Sequence, residues 1–448
     1  MTRTHQPRFT IVGGGLAGGV LANYLGAAGF EVHVYEKRPD QRKAGVIGGR
    51  SINLALSVRG MHALGEIGVL DSVMKQAVPM PGRMIHAIDG STVFQPYGTR
   101  GEAINSVSRG GLNCILLDAA ERYAGVKLHF DHKCLDVDID TGETTYERSG
   151  GQIVKASGDI VIGADGAFSP VRARMQRLDR FDYSQNYLEH GYKELHIPPA
   201  DGGGWRIEKN ALHIWPRRSY MMIALPNADG SFTVTCFWPF DGANGFNNLR
   251  NGTDVVAYFN EHFRDAVPLM PTLATDFFEN PTSTLVTVRC APWYYKDRVV
   301  MLGDAAHAIV PFFGQGMNCA FEDCTALIER IRSADGDYES AFRAFNHDRK
   351  RHADAIADLA LQNFIEMRDK VGDPAFLRKK QWEKRLHRWF PKSYTPLYEL
   401  VSFTRVGYAD AVDQARRQEL AIALIMQLLI VGVSIVILLI LALSYFVR

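Results

Sequence analysis

Near the start of the chain, the spacing of apolar residues changes from a strand pattern to a helix pattern and back. A β-branched apolar run at residues 8–12 is followed by closely spaced glycines and then by an Ala/Leu-rich stretch at residues 16–28. A second run of strand-forming residues follows at 31–36. A strand, a glycine turn, a helix and a second strand within about thirty residues predict a βαβ unit.

Two further short apolar runs, at residues 159–163 and 298–302, have the composition of buried strands. Between them lie three aromatic-rich runs at 212–215, 220–225 and 232–238, the last two separated by an Asn-Ala-Asp-Gly turn at 227–230. This pattern predicts an antiparallel sheet inserted into an α/β domain. After Gly316 the pattern becomes helical as far as about residue 415, with breaks at residues 372–374, 391 and 396.

The end of the chain has a different pattern. After Glu419 no charged residue occurs before Arg448, which leaves 28 uncharged residues rich in Leu, Ile and Val. A helix of this length, at about 1.5 Å per residue, exceeds a hydrocarbon core of about 30 Å. The alternative is a buried core helix, but such helices seldom run this far without a polar stripe. We predict a transmembrane tail anchor, with Arg416 and Arg417 on its cytosolic flank.

Composition limits the remaining classes. The formal net charge of +1 gives no electrostatic case for nucleic-acid binding. The six cysteines form no CxxC pair and have no metal-ligand spacing, so we predict neither a disulfide framework nor a metal site. No apolar signal segment begins the chain. We therefore expect the catalytic part on the cytosolic side, at the mitochondrial outer membrane in a eukaryote or the inner membrane in a bacterium.

The glycines after the first strand form the pattern Gly13-x-Gly15-x-x-Gly18. In such a loop the first glycine makes a tight turn, the second admits a pyrophosphate, and the third allows close packing of helix and strand. Glu36 ends the second strand, where a carboxylate accepts hydrogen bonds from a ribose diol and repels a 2′-phosphate. The motif predicts a dinucleotide site that favours FAD or NAD over NADP.

Two further motifs, at residues 159–172 and 298–318, have an order and spacing that resemble the single-component FAD-dependent aromatic hydroxylases. That resemblance implies that Asp304 contacts the ribityl or pyrophosphate part of FAD. It also implies that the helix after Gly316 points its N-terminus at the flavin, where the helix dipole stabilises negative charge. The second motif would lie between FAD and the nicotinamide cofactor. His307 belongs to the third motif, and we expect it to pack beside the flavin rather than to act as a base.

Segments outside the FAD motifs resemble the kynurenine-hydroxylating members of that family, at residues 50–57, 81–86, 95–98, 106–113, 361–367 and 396–403. This resemblance implies four substrate contacts, Arg83, Tyr97, Asn363 and Tyr398. Motifs and resemblance together imply cofactor contacts by Gly13, Gly15, Ala17, Gly18, Glu36, Lys37, Arg38, Ala55, Arg109, Asp165, Asp304, Gly316, Met317 and Asn318.

The resemblance implies hydroxylation of L-kynurenine to 3-hydroxykynurenine with NADPH and O2, through a flavin C4a-hydroperoxide and without a catalytic side chain. The chemistry of Arg83 agrees, because an α-carboxylate needs a fixed cation and a guanidinium offers a bidentate fork. Three alternatives stay open: a hydroxylase of another aromatic acid, a membrane-bound flavin reductase or lipid-type oxygenase, and a non-catalytic FAD-binding protein at a membrane.

The predicted fold class is α/β, with a Rossmann-like FAD-binding domain, an inserted antiparallel β-sheet substrate domain, a C-terminal helical region and one C-terminal transmembrane helix. The predicted ranges are 1–75, 105–180 and 285–330 for the FAD-binding domain, 76–104 and 181–284 for the substrate domain, 331–418 for the helical region and 420–447 for the transmembrane helix.

Overall fold

The computed structural model describes residues 6–43, 53–98, 101–370 and 374–446. The start of the 50–57 segment, the break predicted at 372–373 and residue 447 of the predicted span lie outside these ranges. The strands are β1 (Arg8–Val12), β2 (Glu31–Tyr35), β3 (Asn53–Leu56), β4 (Val78–Met80), β5 (Gly82–His86), β6 (Thr92–Pro96), β7 (Ile104–Ser108), β8 (Val126–His129), β9 (His132–Val137), β10 (Glu143–Arg148), β11 (Ile153–Ser157), β12 (Ile160–Gly163), β13 (Asp182–Ile197), β14 (Leu212–Pro216), β15 (Met221–Pro226), β16 (Phe232–Pro239), β17 (Ser283–Ala291), β18 (Tyr294–Tyr295) and β19 (Val299–Met301). The α-helices are α1 (Leu16–Ala27), α2 (Val58–Glu66), α3 (Leu70–Met74), α4 (Arg109–Ala120), α5 (Pro170–Met175), α6 (Gly252–His262), α7 (Leu273–Glu279), α8 (Asp304–His307), α9 (Gly316–Arg332), α10 (Tyr338–Ile365), α11 (Pro374–Trp389), α12 (Leu397–Phe403) and α13 (Tyr408–Phe446).

A six-stranded sheet in the order β18-β19-β12-β1-β2-β8 forms the first layer of the fold. Its strands are parallel except for β18, which pairs antiparallel with β19. The central strands are buried on both faces, since Phe9 and Ile11 on one face and Val161 on the other are inaccessible to solvent. The predicted βαβ unit is confirmed as β1, α1 and β2.

A seven-stranded sheet in the order β17-β13-β16-β15-β14-β5-β6 forms the second layer, and all its pairs are antiparallel except β14 with β5. The three aromatic-rich runs are β14, β15 and β16, and Asn227 N–H closes the turn onto the Ser231 carbonyl at 2.8 Å. One face packs Trp215 and Trp238 against Phe263 in a separate apolar core. The inserted antiparallel sheet is therefore confirmed.

The strand pairings differ from the predicted domain ranges at two strands. β4, which the prediction gave to the substrate domain, pairs with β7 in a three-stranded sheet with β3. β17 pairs with β13 in the seven-stranded sheet, whereas the prediction gave most of β17 to the FAD-binding domain. The sheet to which β17 belongs is decided by its pairing partner, which lies about 100 residues earlier in the sequence. The division into domains otherwise stays a prediction.

The last helix, α13, is continuous through the boundary predicted at residues 418–420. Residues 408–440 are long and apolar enough to cross a membrane, and the apolar portion is not buried against the rest of the chain. Because no Gly or Pro occurs between Tyr408 and Val431, the charged and apolar parts join in one helix. The structure thus contains one candidate membrane span among the residues it describes.

Candidate active site

Most of the predicted cofactor residues meet at one edge of the six-stranded sheet. The glycine loop follows β1, Glu36 to Arg38 follow β2, Asp165 follows β12, and Asp304 follows β19. These four strands are adjacent and parallel, so their carboxyl ends open into a single crevice. Open α/β sheets bind ligands in such crevices.

The three glycines of the first motif have different surroundings. A Cβ on Gly13, where φ is +108°, would lie 2.4 Å from the Ala164 carbonyl oxygen. A Cβ on Gly18 would lie 1.9 Å from the Gly13 carbonyl oxygen. A Cβ on Gly15, the residue before α1, would meet no atom within 4 Å. Gly13 and Gly18 are thus required by packing, while Gly15 leaves a cradle at a helix N-terminus that fits a pyrophosphate.

Substituting Gly15 by alanine is expected to weaken FAD binding by about tenfold or more while leaving apoprotein stability within about 1 kcal/mol of wild type. The methyl group meets no protein atom, but it occupies the space through which a pyrophosphate would approach the α1 N–H groups. FAD titration of the apoprotein by flavin fluorescence, with urea unfolding beside it, measures both quantities. Gly65→Ala in α2 is the control, and equal FAD affinity in Gly15→Ala would contradict the cradle.

Glu36 is held in place by groups of the adjoining loops. Its Oε2 accepts a hydrogen bond from Gly14 N–H at 2.8 Å, and its Oε1 accepts one from Arg38 Nε at 2.7 Å. Burial opposes ionisation, but the Arg38 guanidinium and these N–H groups offset it and hold the pKa of Glu36 below its usual range. An ionised carboxylate beside the glycine loop suits a ribose diol. Lys37 is exposed next to it.

Asp165 lies deep at the same edge of the sheet. Its Oδ2 accepts a hydrogen bond from Val171 N–H at 3.2 Å, while its Oδ1 is buried and has no partner. Burial raises the pKa of Asp165 to about 6, against opposing hydrogen bonds from the start of α5. Arg172, on α5, bonds the backbone carbonyls of Ala167 and Ala305 and so ties the second motif to the third.

Asp165→Asn is expected to stabilise the apoprotein at pH 7 by about 1–2 kcal/mol and to give little gain near pH 4. The folded chain holds the proton of Asp165 more tightly than the unfolded chain does. Stability is therefore lost as the pH rises from the unfolded pKa of about 4 through the folded pKa of about 6. Urea unfolding of both apoproteins at pH 4.5, 6 and 7.5 tests this, and a difference that does not grow with pH would contradict it.

Asp304 begins α8 and faces the crevice, where its side chain is exposed. Surrounding protein atoms nevertheless desolvate it and raise its pKa, and the charges of His307 and Arg109 partly offset this. Arg109, the first residue of α4, is also exposed. The predicted FAD contacts Asp304 and Arg109 thus lie close enough to influence each other electrostatically.

His307 packs against a buried ion-pair network. Its Nε2 lies 2.5 Å from Asp323 Oδ2, and the other oxygen of Asp323 accepts from Arg349 Nε at 2.8 Å. Gly303 N–H also donates to Asp323, at 3.1 Å. His307, Asp323 and Cys319 place ligand atoms within 4.8 Å of one another, but the Arg349 guanidinium on Asp323 would repel a divalent cation. The network fixes the turn that carries Asp304.

The start of α9 closes another side of the crevice. Asn318 donates from Nδ2 to the carbonyls of Ala55, at 2.8 Å, and Gly314, at 2.9 Å, and its Oδ1 accepts from Ser57 N–H. The amide oxygen and nitrogen of Asn318 are therefore both occupied by hydrogen bonds that join β3 to the loop before α9. Any contact of this residue with FAD falls to its backbone, next to Gly316 and Met317 at the helix N-terminus. Ala17 packs within the core beside this region.

All four predicted substrate residues line one cavity of about 170 Å³. Arg83 comes from β5, Tyr97 follows β6, Asn363 is near the end of α10, and Tyr398 belongs to α12. The Arg83 Cζ lies 4.8 Å from the Tyr398 ring centre and 5.3 Å from that of Tyr97. The two tyrosine rings stack on each other at 5.4 Å.

Arg83 presents a cation without an anion. In the part of the chain that the structure describes, burial of Arg83 is opposed by the nearby Tyr97 and Tyr398 hydroxyls, which raise its pKa, and no carboxylate is among these neighbours. Neither its buried Nε nor the Tyr97 hydroxyl has a hydrogen-bond partner in good geometry, although the hydroxyls of Tyr97 and Tyr398 lie close enough to interact with the guanidinium. Two buried donors side by side need an acceptor, since an unmade buried hydrogen bond costs about 1–3 kcal/mol. A ligand carboxylate satisfies both.

The substrate cavity touches the loop that leads into α9. Asn363 donates from Nδ2 to the Phe312 carbonyl at 2.6 Å, and Phe313 lines the cavity with its ring 5.3 Å from that of Tyr398. α10 continues into a π-helix at Glu366–Lys370, a local widening that often occurs at functional sites. The cavity and the crevice thus share one loop.

Several cavity residues were not found from the sequence. They include four charged side chains on the π-helical extension of α10, on α11 and on α12: Glu366, Lys380, Glu383 and Glu399. Asp323 and Arg349, which support the third motif, were missed as well. A charge on the buried face of α9 was the available signal for Asp323, but it gains meaning only beside Arg349.

Comparison with known proteins agrees with this geometry. The sequence family described as FAD binding domain matches residues 8–360. Kynurenine 3-monooxygenase of Myxococcus xanthus is 46% identical over 410 residues, which cover 91% of this chain and 88% of that protein. The chain belongs to the kynurenine 3-monooxygenase family. The enzyme of that name from Dictyostelium discoideum is 48% identical over 415 residues, covering 90% of this chain and 89% of the relative.

Solved structures of other oxygenases share the fold of this chain. 2-Methyl-3-hydroxypyridine-5-carboxylic acid oxygenase superposes with a TM-score of 0.67 at 20% identity, covering 83% of this chain and 96% of that chain. p-Nitrophenol 4-monooxygenase of Pseudomonas putida gives 0.65 at 18% identity, covering 85% and 93%. The predicted fold class, an FAD-binding α/β fold with an inserted sheet, is confirmed, and the chain is a flavoprotein monooxygenase.

Proposed function

We propose that this chain hydroxylates L-kynurenine at the ring carbon next to the amine, with NADPH and O2 as co-substrates. The observation that carries the proposal is the buried Arg83 guanidinium, which stacks with two tyrosines in a cavity that adjoins the flavin loop. Relatives at 46–48% identity over nine-tenths of the chain bear the name kynurenine 3-monooxygenase. The individual roles of the site residues remain part of this proposal.

Arg83 and Tyr97 would bind the α-carboxylate of the substrate. A guanidinium gives two parallel hydrogen bonds to a carboxylate, and the Tyr97 hydroxyl supplies a third donor. Asn363 uses its Nδ2 on the Phe312 carbonyl, so its amide oxygen is left to accept from the substrate amine. Tyr398 and Phe313 would flank the aromatic ring. The carboxylate is thereby anchored at one end, and the reacting ring is aimed at the flavin loop.

FAD, when bound, accepts hydride from NADPH and activates O2. The chain itself needs no nucleophile for this reaction, because the ortho amine already enriches the substrate ring in electrons. Its tasks are to orient the ring and to exclude water from the cavity. The crevice residues Gly15, Glu36 and Asp304 would hold the pyrophosphate and ribose parts of the cofactor.

We also propose that α13 anchors the protein in a membrane with the catalytic part on the cytosolic side. Residues 420–440 expose Leu, Ile and Val on all faces of the helix, with Arg416 and Arg417 just before them. An exposed apolar helix of this length is stable in hydrocarbon rather than in water. In a bacterium the membrane would be the inner membrane, and in a eukaryote the mitochondrial outer membrane.

The proposed reaction is tested by NADPH oxidation of the purified, FAD-loaded chain with and without L-kynurenine, with the product identified by mass. Stimulated oxidation and a product heavier by one oxygen atom, labelled from ¹⁸O₂, is the expected result. Stimulation without oxygenated product would contradict hydroxylation and favour a flavin reductase. No stimulation by kynurenine, with turnover of another aromatic acid, would move the substrate assignment to that acid.

A further inference from the structure

Helix α11 has one face that belongs to the substrate cavity. Lys380 and Glu383 line the cavity, and His387 Nε2 lies 3.3 Å from the carboxylate of Glu399, another lining residue. Positions 380, 383 and 387 are spaced i, i+3 and i+7, so they share one side of the helix. That side packs onto the protein, and His387 is buried.

The opposite face of α11 carries aromatic and basic side chains into solvent. Arg378, Trp382, Arg385 and Trp389 are spaced i, i+4, i+7 and i+11, which aligns them along the helix. Trp382 is 53% exposed and Trp389 is 60% exposed. Phe390, the next residue, is 57% exposed. Large aromatic side chains grouped on one surface mark a binding face.

Positive charge is concentrated on the same short segment. Residues 374–392 contain seven basic side chains and one acidic one, Glu383, although the whole chain has a net charge of only +1. The basic residues are Arg378, Lys379, Lys380, Lys384, Arg385, Arg388 and Lys392. Basic clusters beside a membrane span attract anionic lipid headgroups, at about 1 kcal/mol for each residue near the surface.

α11 and the loop that follows it contact α13 at two neighbouring residues. Lys379 Nζ lies 3.5 Å from Glu419 Oε1, and Thr395 N–H donates to Gln418 Oε1 at 3.2 Å. Glu419 is the last charged residue before the apolar stretch. α11 and the loop after it therefore lie at the level where the proposed membrane span begins.

We infer that α11 is an interfacial helix whose ligand is an anionic lipid bilayer. Tryptophan and phenylalanine side chains favour the boundary between headgroups and acyl chains, and the arginines between them favour lipid phosphates. Because the inner face of the same helix lines the cavity, the bilayer supports one wall of the substrate site. The inference rests on the proposed anchoring by α13, which is tested separately below.

The chain offers a direct optical test. It has six tryptophans, and none lies in residues 408–446 of α13, so the proposed span contributes no tryptophan fluorescence. Full-length protein is placed in nanodiscs made of phosphatidylcholine and phosphatidylserine. The acyl chains of both lipids carry bromine, which quenches nearby indoles. Wild-type fluorescence is expected to be quenched, and Trp382→Phe/Trp389→Phe is expected to lose about two-thirds or more of that quenching. Trp205→Phe, in the loop between β13 and β14, is the matched control.

The outcomes separate the interfacial helix from the anchor. Nanodiscs that retain the protein without quenching it would overturn the interfacial helix and leave the anchor intact. Protein that fails to remain in nanodiscs would overturn both, whatever its hydroxylase activity in solution. Equal quenching in discs with and without phosphatidylserine would overturn the anionic preference. Equal quenching in the double variant and in wild type would overturn the assignment of α11 as the contact.

Discussion

Arg83→Ala is expected to lower kcat/KM for L-kynurenine by about 30-fold to about 5,000-fold, the equivalent of about 2–5 kcal/mol for a buried charged hydrogen-bonded pair. The described neighbours of Arg83 are the Tyr97 and Tyr398 hydroxyls rather than a carboxylate, and its Nε and the Tyr97 hydroxyl lack hydrogen-bond partners in good geometry. A substrate carboxylate would satisfy both groups. Steady-state NADPH oxidation with product quantification measures the loss.

Three companion measurements make this result specific. FAD content is expected to stay at the wild-type level, because Arg83 lies in the seven-stranded sheet and not in the crevice. Arg83→Lys is expected to recover part of the loss, since an ammonium keeps the charge but lacks the planar fork. Arg122→Ala, at an exposed arginine after α4, is the control. Wild-type kcat/KM in Arg83→Ala would remove Arg83 as the carboxylate anchor.

Asp323→Ala is expected to lower the free energy of unfolding by about 3–5 kcal/mol, the usual cost of removing one partner from a buried ion pair. The Asp323 carboxylate is fully buried and accepts from His307, Arg349 and Gly303 N–H. Burial opposes its ionisation, but the charges of His307 and Arg349 hold the pKa of Asp323 below its usual range. Its removal leaves the Arg349 guanidinium buried with weaker partners. Urea unfolding of the apoprotein measures the loss.

The same pair of helices supplies the control. Asp348 of α10 pairs with Arg330 of α9, but both side chains are more than 40% exposed. Asp348→Ala is therefore expected to cost less than about 1 kcal/mol. Asp323→Ala should also weaken FAD binding, because Asp323 holds the turn before Asp304. Equal effects of the two substitutions would show that the buried network contributes nothing beyond a surface pair.

The sequence was sufficient for the parts of the site that depend on local spacing. Gly13, Gly15 and Gly18 are fixed by the backbone geometry of one turn, and Glu36 by its place at the end of the next strand. Because the four strands are parallel neighbours, their carboxyl ends had to meet, and the crevice followed from the order of the motifs. The roles of these residues toward FAD remain predictions.

Long-range pairings could not be obtained in this way. Asp323 and Arg349 are 26 residues apart, and nothing in either helix alone identifies the partner. The sheet that contains β17 is decided by hydrogen bonding to β13, which the sequence of β17 alone does not reveal. The two faces of α11 emerge only when α12 and α13 are in place, because both faces of that helix are charged. Local sequence patterns do not show which distant helices and strands pack together.

The hydrogen bond from Asn363 to the Phe312 carbonyl joins the substrate cavity to the loop that begins α9. If bound substrate favours one conformation of this loop, it also changes the affinity for the cofactor at the helix N-terminus. Thermodynamic linkage makes such a coupling reciprocal, so each ligand changes the affinity of the other by the same factor. A preparation that has shed part of its flavin will then report a substrate dissociation constant that reflects the mixture of loaded and empty protein.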